Sequence, residues 1–141
     1  MQVFIVGSPL ETAMALDQKR LRKQIIECKQ ILDAINGIGK GWFNHPVVKM
    51  YKKHTLWLVY YTKCLLLYMY GYEGNAKVCS DLADLFTPSF LTDELCNQHK
   101  RRLFTKNPQH YAQFAEYGTS EENWYYVDGS WRKYVNGKRV E

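Results

Sequence analysis

The chain has 141 residues, of which 46% are hydrophobic and 15% aromatic, and it carries a formal net charge of +5. This composition excludes a disordered chain, and the length suits a domain with a sizeable core, so we expect residues 1–141 to form one domain. The positive charge favours an anionic partner, and nucleic acid is the commonest such partner of a small basic domain.

The N-terminal residues predict an extended segment followed by a helix. Residues 2–6 are β-prone but too short for a sheet of their own, so we expect them to lie extended against the core. Ser8, Pro9 and Glu11 form a capping box with proline at the first helical position, which predicts a helix from Pro9. An apolar stripe continues that helix as far as the stop signal at residues 36–37.

A dense basic run lies on this predicted helix between Asp17 and Glu27. Arg20 and Glu27 share one helical face about two turns apart, at the border of the apolar stripe. Such a face could hold a phosphate and still present a carboxylate as a base. A solvated helix surface stabilised by charged side chains is the alternative, and the pattern leaves both interpretations open.

The middle of the chain predicts a loop and a core helix. Residues 36–46 are rich in glycine, but Gly39-Lys40-Gly41 lacks the Ser or Thr that follows the lysine of a P-loop, so we expect an ordinary loop. A second helix is predicted from Pro46 to Tyr70, and the lysines within it make its apolar length too short for a membrane span.

Two further helices complete the helical part of the prediction. One is capped by Asn75 and runs to about Leu85, and the next opens at Thr92 and stops before Pro108. The last of these carries a tight basic cluster that its neighbours in sequence cannot neutralise, which favours phosphate binding. The members of this cluster are Lys100, Arg101, Arg102 and Lys106.

The C-terminal segment alternates aromatic and cationic residues. Asp128-Gly129 and Asn136-Gly137 predict tight turns between short extended pieces. The aromatic side chains could stack on exposed bases while the cations hold phosphates, or they could simply cover the core. Together the elements predict an all-α fold: a mainly helical domain with a short extended N-terminal segment and an aromatic, turn-rich C-terminal segment.

The cysteines and histidines give no sign of a metal site or of disulfides. The four cysteines show no C-x-x-C pairing and mostly lie in apolar helical patterns, so we expect reduced thiols in a cytoplasmic protein. The histidines lack the close spacing of a zinc site, so we expect no metal and no cofactor.

Several motifs, taken in order, carry a resemblance to a known family. They are Asp17, Lys19, Arg20, Leu21, Lys23, Ile25, Ile26 and Glu27, then Asn44-His45-Pro46, Gly71-Tyr72, Arg102, Lys106, Pro108, His110, Tyr111, and Trp131 to Tyr134 with Gly137-Lys138. Over nearly the whole chain, their order and spacing resemble the phage-type pyrimidine-dimer DNA glycosylases, the endonuclease V type of UV-repair enzyme.

The resemblance implies a DNA glycosylase with associated AP-lyase activity on damaged or modified pyrimidines, with cyclobutane dimers as the first candidate. In that family a free α-amine attacks the sugar C1′, and a helix glutamate supports imine formation and the later β-elimination. By motif the glutamate is Glu27, and Arg20 takes the place of a residue that grips phosphate. Gln2 is bulky, which predicts that Met1 is retained and that its own amine serves. An α-amine suits this role because its unperturbed pKa is about 7.7–8.0, against about 10.4 for lysine.

The implied partner is double-stranded DNA containing a damaged or modified base, bound by a monomer without membrane contact in the cytoplasm of a bacterial or phage-infected cell. The expected DNA-binding residues are Lys19, Lys23, His45, Lys100, Arg101, Arg102, Lys106, His110, Tyr111, Trp131, Arg132, Lys133 and Tyr134.

Two other functions remain open from the sequence. One is a non-catalytic DNA-binding protein of the same fold. The other is a protein-interaction module that uses the aromatic C-terminal segment as its binding surface.

Overall fold

The structure is a computed structural model that describes residues 1–39 and 41–141; Lys40, in the glycine-rich loop, lies outside the described residues. Its helices are α1 (Pro9–Ala15), α2 (Gln18–Ile35), α3 (Pro46–Tyr51), α4 (Thr55–Met69), α5 (Glu73–Asp84) and α6 (Asp93–Lys106), followed by a 3₁₀ helix over Ala112–Tyr117. Three strands follow, β1 (Asn123–Val127), β2 (Ser130–Val135) and β3 (Lys138–Arg139). The protein is mainly helical, as predicted, but the antiparallel sheet β1-β2-β3 makes the all-α assignment too narrow.

The first predicted helix is in fact two helices. The capping box at Ser8 starts α1 at Pro9, as predicted. The backbone is extended at Leu16 and Asp17, and the Asp17 carboxylate accepts a hydrogen bond from the Arg20 amide and caps α2. Aspartate is among the strongest N-cap residues, so a new helix begins at Asp17 instead of the first one continuing.

The second predicted helix is also interrupted. A turn at residues 52–54 separates α3 from α4, and the His54 amide donates to the Tyr51 carbonyl across it. This turn brings Tyr51 and Trp57 into a stacked pair in the core, with ring centroids 5.7 Å apart. Burial of two large aromatic side chains outweighs the continuation of a helix through consecutive lysines.

The start of the third predicted helix was placed too late, since α5 begins at Glu73 and not at an Asn75 cap. Gly71, with φ +88°, ends α4 in the left-handed conformation, and α5 begins two residues later, so the connection between the two helices is short. The fourth helix is confirmed: the Thr92 side chain accepts from the Leu95 amide and caps α6.

The C-terminal turns are as predicted. β1 and β2 pair antiparallel around Asp128-Gly129, and β2 and β3 pair around Asn136-Gly137. All four turn residues have positive φ, the conformation that Asp-Gly and Asn-Gly turns supply in two-residue hairpins.

The extended N-terminal segment lies in the core, as predicted. Val3, Phe4 and Ile5 are each at most 3% exposed and belong to the same apolar cluster as buried side chains of α2, α4 and β1. This places Met1, which is half-buried, next to α2, α6 and β1. Among the described residues, no helix has the length and apolar character needed to cross a membrane.

Candidate functional site

The N-terminal segment is held by buried side chains from two helices. Gln24 of α2 bridges the segment: its Oε1 accepts from the Phe4 amide at 2.8 Å, and its Nε2 donates to the Gln2 carbonyl at 2.9 Å. His99 of α6 accepts from the Ile5 amide through Nδ1 at 2.9 Å. The side chains thus pair the backbone groups that a neighbouring strand would pair in a sheet.

The first peptide unit is fixed from both sides. The Tyr125 hydroxyl on β1 donates to the Met1 carbonyl at 2.8 Å. The Gln2 amide donates to Oε2 of Glu27 on α2 at 3.2 Å. These two bonds hold the start of the chain beside the Glu27 carboxylate.

The Met1 amine and Glu27 share a cleft of about 80 Å³. Its lining residues are Met1, Gln2, Phe4, Arg20, Lys23, Glu27, Arg102, Lys106 and Asn123. The side chains in this list include four cations and a single carboxylate. The cleft is therefore positive overall and suited to an anion, and the Met1 amine and the Glu27 carboxylate lie near enough in it to interact electrostatically.

Burial lowers the pKa of the Met1 amine below its ordinary value of 8.0. Lys23, Lys106 and Arg102 lower it further by repulsion, and Glu27 opposes the shift. A larger fraction of this amine is consequently neutral, and so nucleophilic, at physiological pH.

Two arginines border the cleft in fixed positions. Arg102 donates from Nε to the Asn123 carboxamide at 3.0 Å and from a terminal nitrogen to the Ser120 carbonyl at 3.2 Å. The Arg20 guanidinium lies over the Phe4 ring, 5.6 Å from its centroid. Both guanidinium groups are thus held at the cleft rather than extended into solvent.

A family model for pyrimidine dimer DNA glycosylases matches residues 1–70 of this chain. The chain belongs to the pyrimidine dimer DNA glycosylase family. The match includes Met1, Arg20 and Glu27, whereas Arg102, Lys106 and Asn123 join the cleft from outside the matched range. Family membership implies a DNA substrate and a pyrimidine dimer as the target. Searches of curated proteins and of solved structures gave no match.

Beside this cleft lies a second hollow of about 230 Å³. It is lined by Asp17, Lys19, Arg20, Lys23, Lys106 and Asn107, so it shares three cations with the cleft. The structure thus brings the predicted residues Lys19, Lys23 and Lys106 to the same side of the molecule as Glu27.

His45 also lies close to the amine. It caps α3 by accepting from the Val47 amide through Nδ1 at 3.1 Å, and its ring is 5.5 Å from that of Tyr125. Burial and the nearby terminal amine lower the pKa of His45 to about 4, so its ring is neutral at physiological pH.

The rest of the basic cluster on α6 points elsewhere. The Arg101 Nε donates to the Tyr117 carbonyl at 2.9 Å, and the Lys100 Nζ lies 4.6 Å from the centroid of the Tyr117 ring. These two cations therefore pack on the 3₁₀ helix and do not line the cleft. Lys100 and Arg102 are two residues apart, so they leave the helix on different faces.

Tyr111, which was predicted to contact DNA, is buried in the structure, and its contact with DNA stays a prediction. It is 1% exposed, and its hydroxyl donates to the Asp17 carboxylate and accepts from the Asp17 amide. Tyr111 therefore holds the start of α2. His110 is exposed, with Nε2 3.1 Å from the Ala15 carbonyl oxygen.

The aromatic C-terminal segment packs on the core and is outside the cleft. Trp131 contacts Tyr126, and Tyr134 contacts Tyr125, with ring centroids 5.1 and 5.5 Å apart. The predicted cations on β2 pair within the segment: Arg132 with Asp128 at 3.6 Å, and Lys133 with Glu141 at 3.3 Å. The sequence left two interpretations of these aromatic residues, stacking on exposed bases or covering the core. The structure shows that they cover the core, and a contact with DNA stays a prediction.

Gln2, Phe4 and Asn123 line the cleft but were not predicted as site residues, and neither was Gln24, which holds the N-terminal segment beside the cleft. Gln24 gave a signal, because it is a polar residue on the border of an apolar stripe, and it is 1% exposed. Gln2 and Asn123 gave none, since only the folded chain brings residues 2 and 123 next to α2.

Proposed function

We propose that the chain, as one domain over residues 1–141, is a DNA glycosylase with associated AP-lyase activity on damaged or modified pyrimidines, with cyclobutane dimers as the first candidate. The observation that supports this proposal most is the cleft shared by the Met1 amine and the Glu27 carboxylate, whose other charges are cations. Family membership independently supports a pyrimidine dimer as the target.

In the proposed reaction, the neutral Met1 amine attacks C1′ of the damaged nucleotide and displaces the base from the sugar. The base leaves with the electron pair of its bond to C1′, and Glu27 accepts a proton from the attacking nitrogen. Glu27 then returns this proton to the ring oxygen O4′ as the C1′–O4′ bond breaks, which gives the protonated imine. A carboxylate beside the imine can then remove a proton from C2′, and the 3′ phosphate leaves by β-elimination. Each step uses groups of the chain itself.

The cations have a separate task in this proposal. Arg20 and Lys23 on α2 lie where the phosphates flanking the reacting sugar would approach, and Arg102 and Lys106 face them from α6. An arginine fork suits a phosphate oxygen pair, and four cations together favour binding of a strand with a phosphate on each side of the sugar. The volume of about 80 Å³ is far below that of ordinary ligand pockets, so the sugar is the part of a nucleotide that enters.

The direct test is cleavage of a duplex that contains a cyclobutane pyrimidine dimer. The Glu27→Gln variant should cut it about 100-fold or more slowly than the wild type, because general acid–base catalysis contributes roughly 10²–10⁴-fold. Acetylation of the α-amine should abolish cleavage. Glu116→Gln is the matched control, since Glu116 is an exposed acid outside the cleft, and it should cut at the wild-type rate.

One observation favours a non-catalytic DNA-binding protein of the same fold. Glu27 already accepts a hydrogen bond from the Gln2 amide, which occupies one of its two oxygens. This second candidate predicts that wild type and Glu27→Gln bind DNA equally well and that neither cuts any lesion. Cleavage by the wild type that is lost in Glu27→Gln excludes it.

A further inference from the structure

Another basic cavity, apart from the cleft and the hollow beside it, lies at the far end of α3 from the cleft. Its volume is about 620 Å³, and it opens between the α3–α4 turn, the loop before α6 and the β1–β2 turn. We call it the lysine groove, and the lining residues that matter here are Lys49, Lys52, Lys53, Phe90, Tyr126 and Asp128.

The lysine groove is positively charged. Its single lining carboxylate, Asp128, is 3.6 Å from Arg132 and therefore partly neutralised. Within residues 1–39 and 41–141, no ion pair involves Lys49, Lys52 or Lys53. All three lysines are exposed, so they can turn toward an anion at little cost in packing.

The floor of the groove is rigid and aromatic. Phe90 is 5% exposed and packs edge-on against His54 at 5.2 Å and against Tyr126 at 5.7 Å. Burial and the charge of Lys53 lower the pKa of His54, so this ring adds no positive charge at neutral pH. An occupant of the groove therefore meets three exposed lysine side chains and an aromatic floor, and this positive charge suits phosphates better than an apolar ligand.

The groove and the cleft are connected by α3. His45, at the start of α3, packs on Tyr125, whose hydroxyl bonds to the Met1 carbonyl. Lys49 follows one turn later, and Lys52 and Lys53 follow the end of the helix. At 1.5 Å per residue, the path along α3 from His45 to Lys52 is about 10 Å. One DNA strand rises about 3.4 Å along the duplex axis per phosphate, so this path spans about three phosphates of a duplex that runs parallel to α3.

We propose that the lysine groove is a second backbone-phosphate site, in which Lys49, Lys52 and Lys53 hold the damaged strand about two to four nucleotides from the reacting sugar. Charge complementarity and continuity with the cleft identify the occupant as DNA backbone. The inference rests on the proposed function for its ligand and its reaction centre, but it concerns binding and not the chemistry.

The test combines a protein change with a change in DNA length. The variant Lys49→Gln/Lys52→Gln/Lys53→Gln is compared with the control Lys29→Gln/Lys63→Gln/Lys77→Gln, which removes the same charge from exposed positions outside both cavities. Both sets of changes are made in Glu27→Gln protein, so that cleavage does not disturb the equilibrium. Affinity for a lesion duplex is measured over a range of salt, with the flank on either side of the lesion full-length or cut to one nucleotide.

The groove variant should bind the full duplex about 10-fold to 100-fold more weakly than the control, and its salt slope should fall by about two to three, since each phosphate contact contributes about 0.9. Shortening one flank should weaken binding of the control protein by a similar factor and leave the groove variant unaffected. Equal affinity and slope in the two variants would overturn the proposal, and so would equal losses on shortening. Thermal unfolding identifies a misfolded triple variant. In that case the single variants Lys49→Gln and Lys52→Gln replace it, and each should lower the salt slope by about one.

This experiment separates the groove from the chemistry. A protein that shows the coupling between groove and flank but cuts no lesion overturns the proposed reaction alone. A protein that cuts the lesion without the coupling overturns the groove alone.

Discussion

At the scale of single residues, the proposed chemistry depends on a balance of charge around the Met1 amine. Glu27 favours the protonated amine, whereas Lys106 and Lys23 disfavour it. Lys106 is itself shifted: burial and its cationic neighbours lower its pKa below the ordinary lysine value. In the proposed reaction, three of the four cleft cations therefore have two roles, because Lys23, Lys106 and Arg102 lower the pKa of the amine as well as attract phosphate.

Replacing Lys106 should move the pH dependence of the reaction. In the proposed reaction the neutral amine is the reactive form, so we expect the rate to rise with pH through the pKa of the amine. Lys106→Gln removes a repulsive cation and so raises that pKa, and the acidic limb of the single-turnover rate profile should shift to higher pH. A lower rate at every pH with no shift of the limb would show that Lys106 acts on phosphate alone.

Gln2 should be replaceable with a gain in stability. The residue is 5% exposed, and its side-chain oxygen and nitrogen are buried with no hydrogen-bond partner among the described residues. Gln2→Leu should raise the free energy of unfolding by about 1–2 kcal/mol, because it removes an unpaired buried amide. Gln24→Met is the matched contrast: both its amide atoms are paired, and it should lose about 2–4 kcal/mol. Urea denaturation measures both, and a loss of stability in Gln2→Leu would contradict the account.

At the scale of elements, the extended N-terminal segment is the part on which the site depends. In the part of the chain that the structure describes, it pairs with no strand, and side chains of α2 and α6 satisfy its backbone groups. Local sequence predicted that this segment is extended and buried, because five β-prone residues precede a strong helix cap. It could not predict the partners, since Ile5 and His99 are 94 residues apart.

The helix boundaries also divide into those that local sequence predicts and those that depend on contacts in the folded core. The starts of α1 and α6 could be predicted from the sequence, because the caps at Ser8 and Thr92 act within one helical turn. The break between α3 and α4 could not be predicted, because it results from stacking of Tyr51 on Trp57 in the core, which no local pattern records.

The protein should lose stability as the pH falls below about 6.5. Burial lowers the pKa of His99 to about 3, so His99 stays neutral in the folded chain while the unfolded chain binds a proton. The loss should approach about 1.4 kcal/mol per pH unit for this one group below its ordinary pKa. In His99→Gln, whose side-chain oxygen can still accept from Ile5, the slope between pH 6.5 and 4 should be smaller by close to one proton. Denaturation midpoints at several pH values test this, and identical slopes in the two proteins would contradict it.

At the scale of the whole molecule, the cleft is assembled from four separate parts of the chain. The N-terminal segment, α2, α6 and the start of β1 each supply lining residues. The family resemblance predicted Met1, Arg20 and Glu27 as a group, and the structure places them in one cleft. The sequence did not predict that Arg102 lines the cleft whereas Lys100 and Arg101 do not. The side of α6 that faces the cleft depends on how the 3₁₀ helix packs against α6. Their catalytic and binding roles remain predictions.

The central claim is that the Met1 amine, and no other amine of the cleft, bonds to the sugar. The measurement that tests it most directly is borohydride reduction of the protein on dimer-containing DNA, followed by proteolysis and mass spectrometry of the cross-linked peptide. The account predicts that the nucleotide is attached to the α-nitrogen of the peptide beginning at Met1. Attachment to Lys23 or Lys106, which line the same cleft, would contradict it, and so would the absence of any adduct with DNA that the protein cuts.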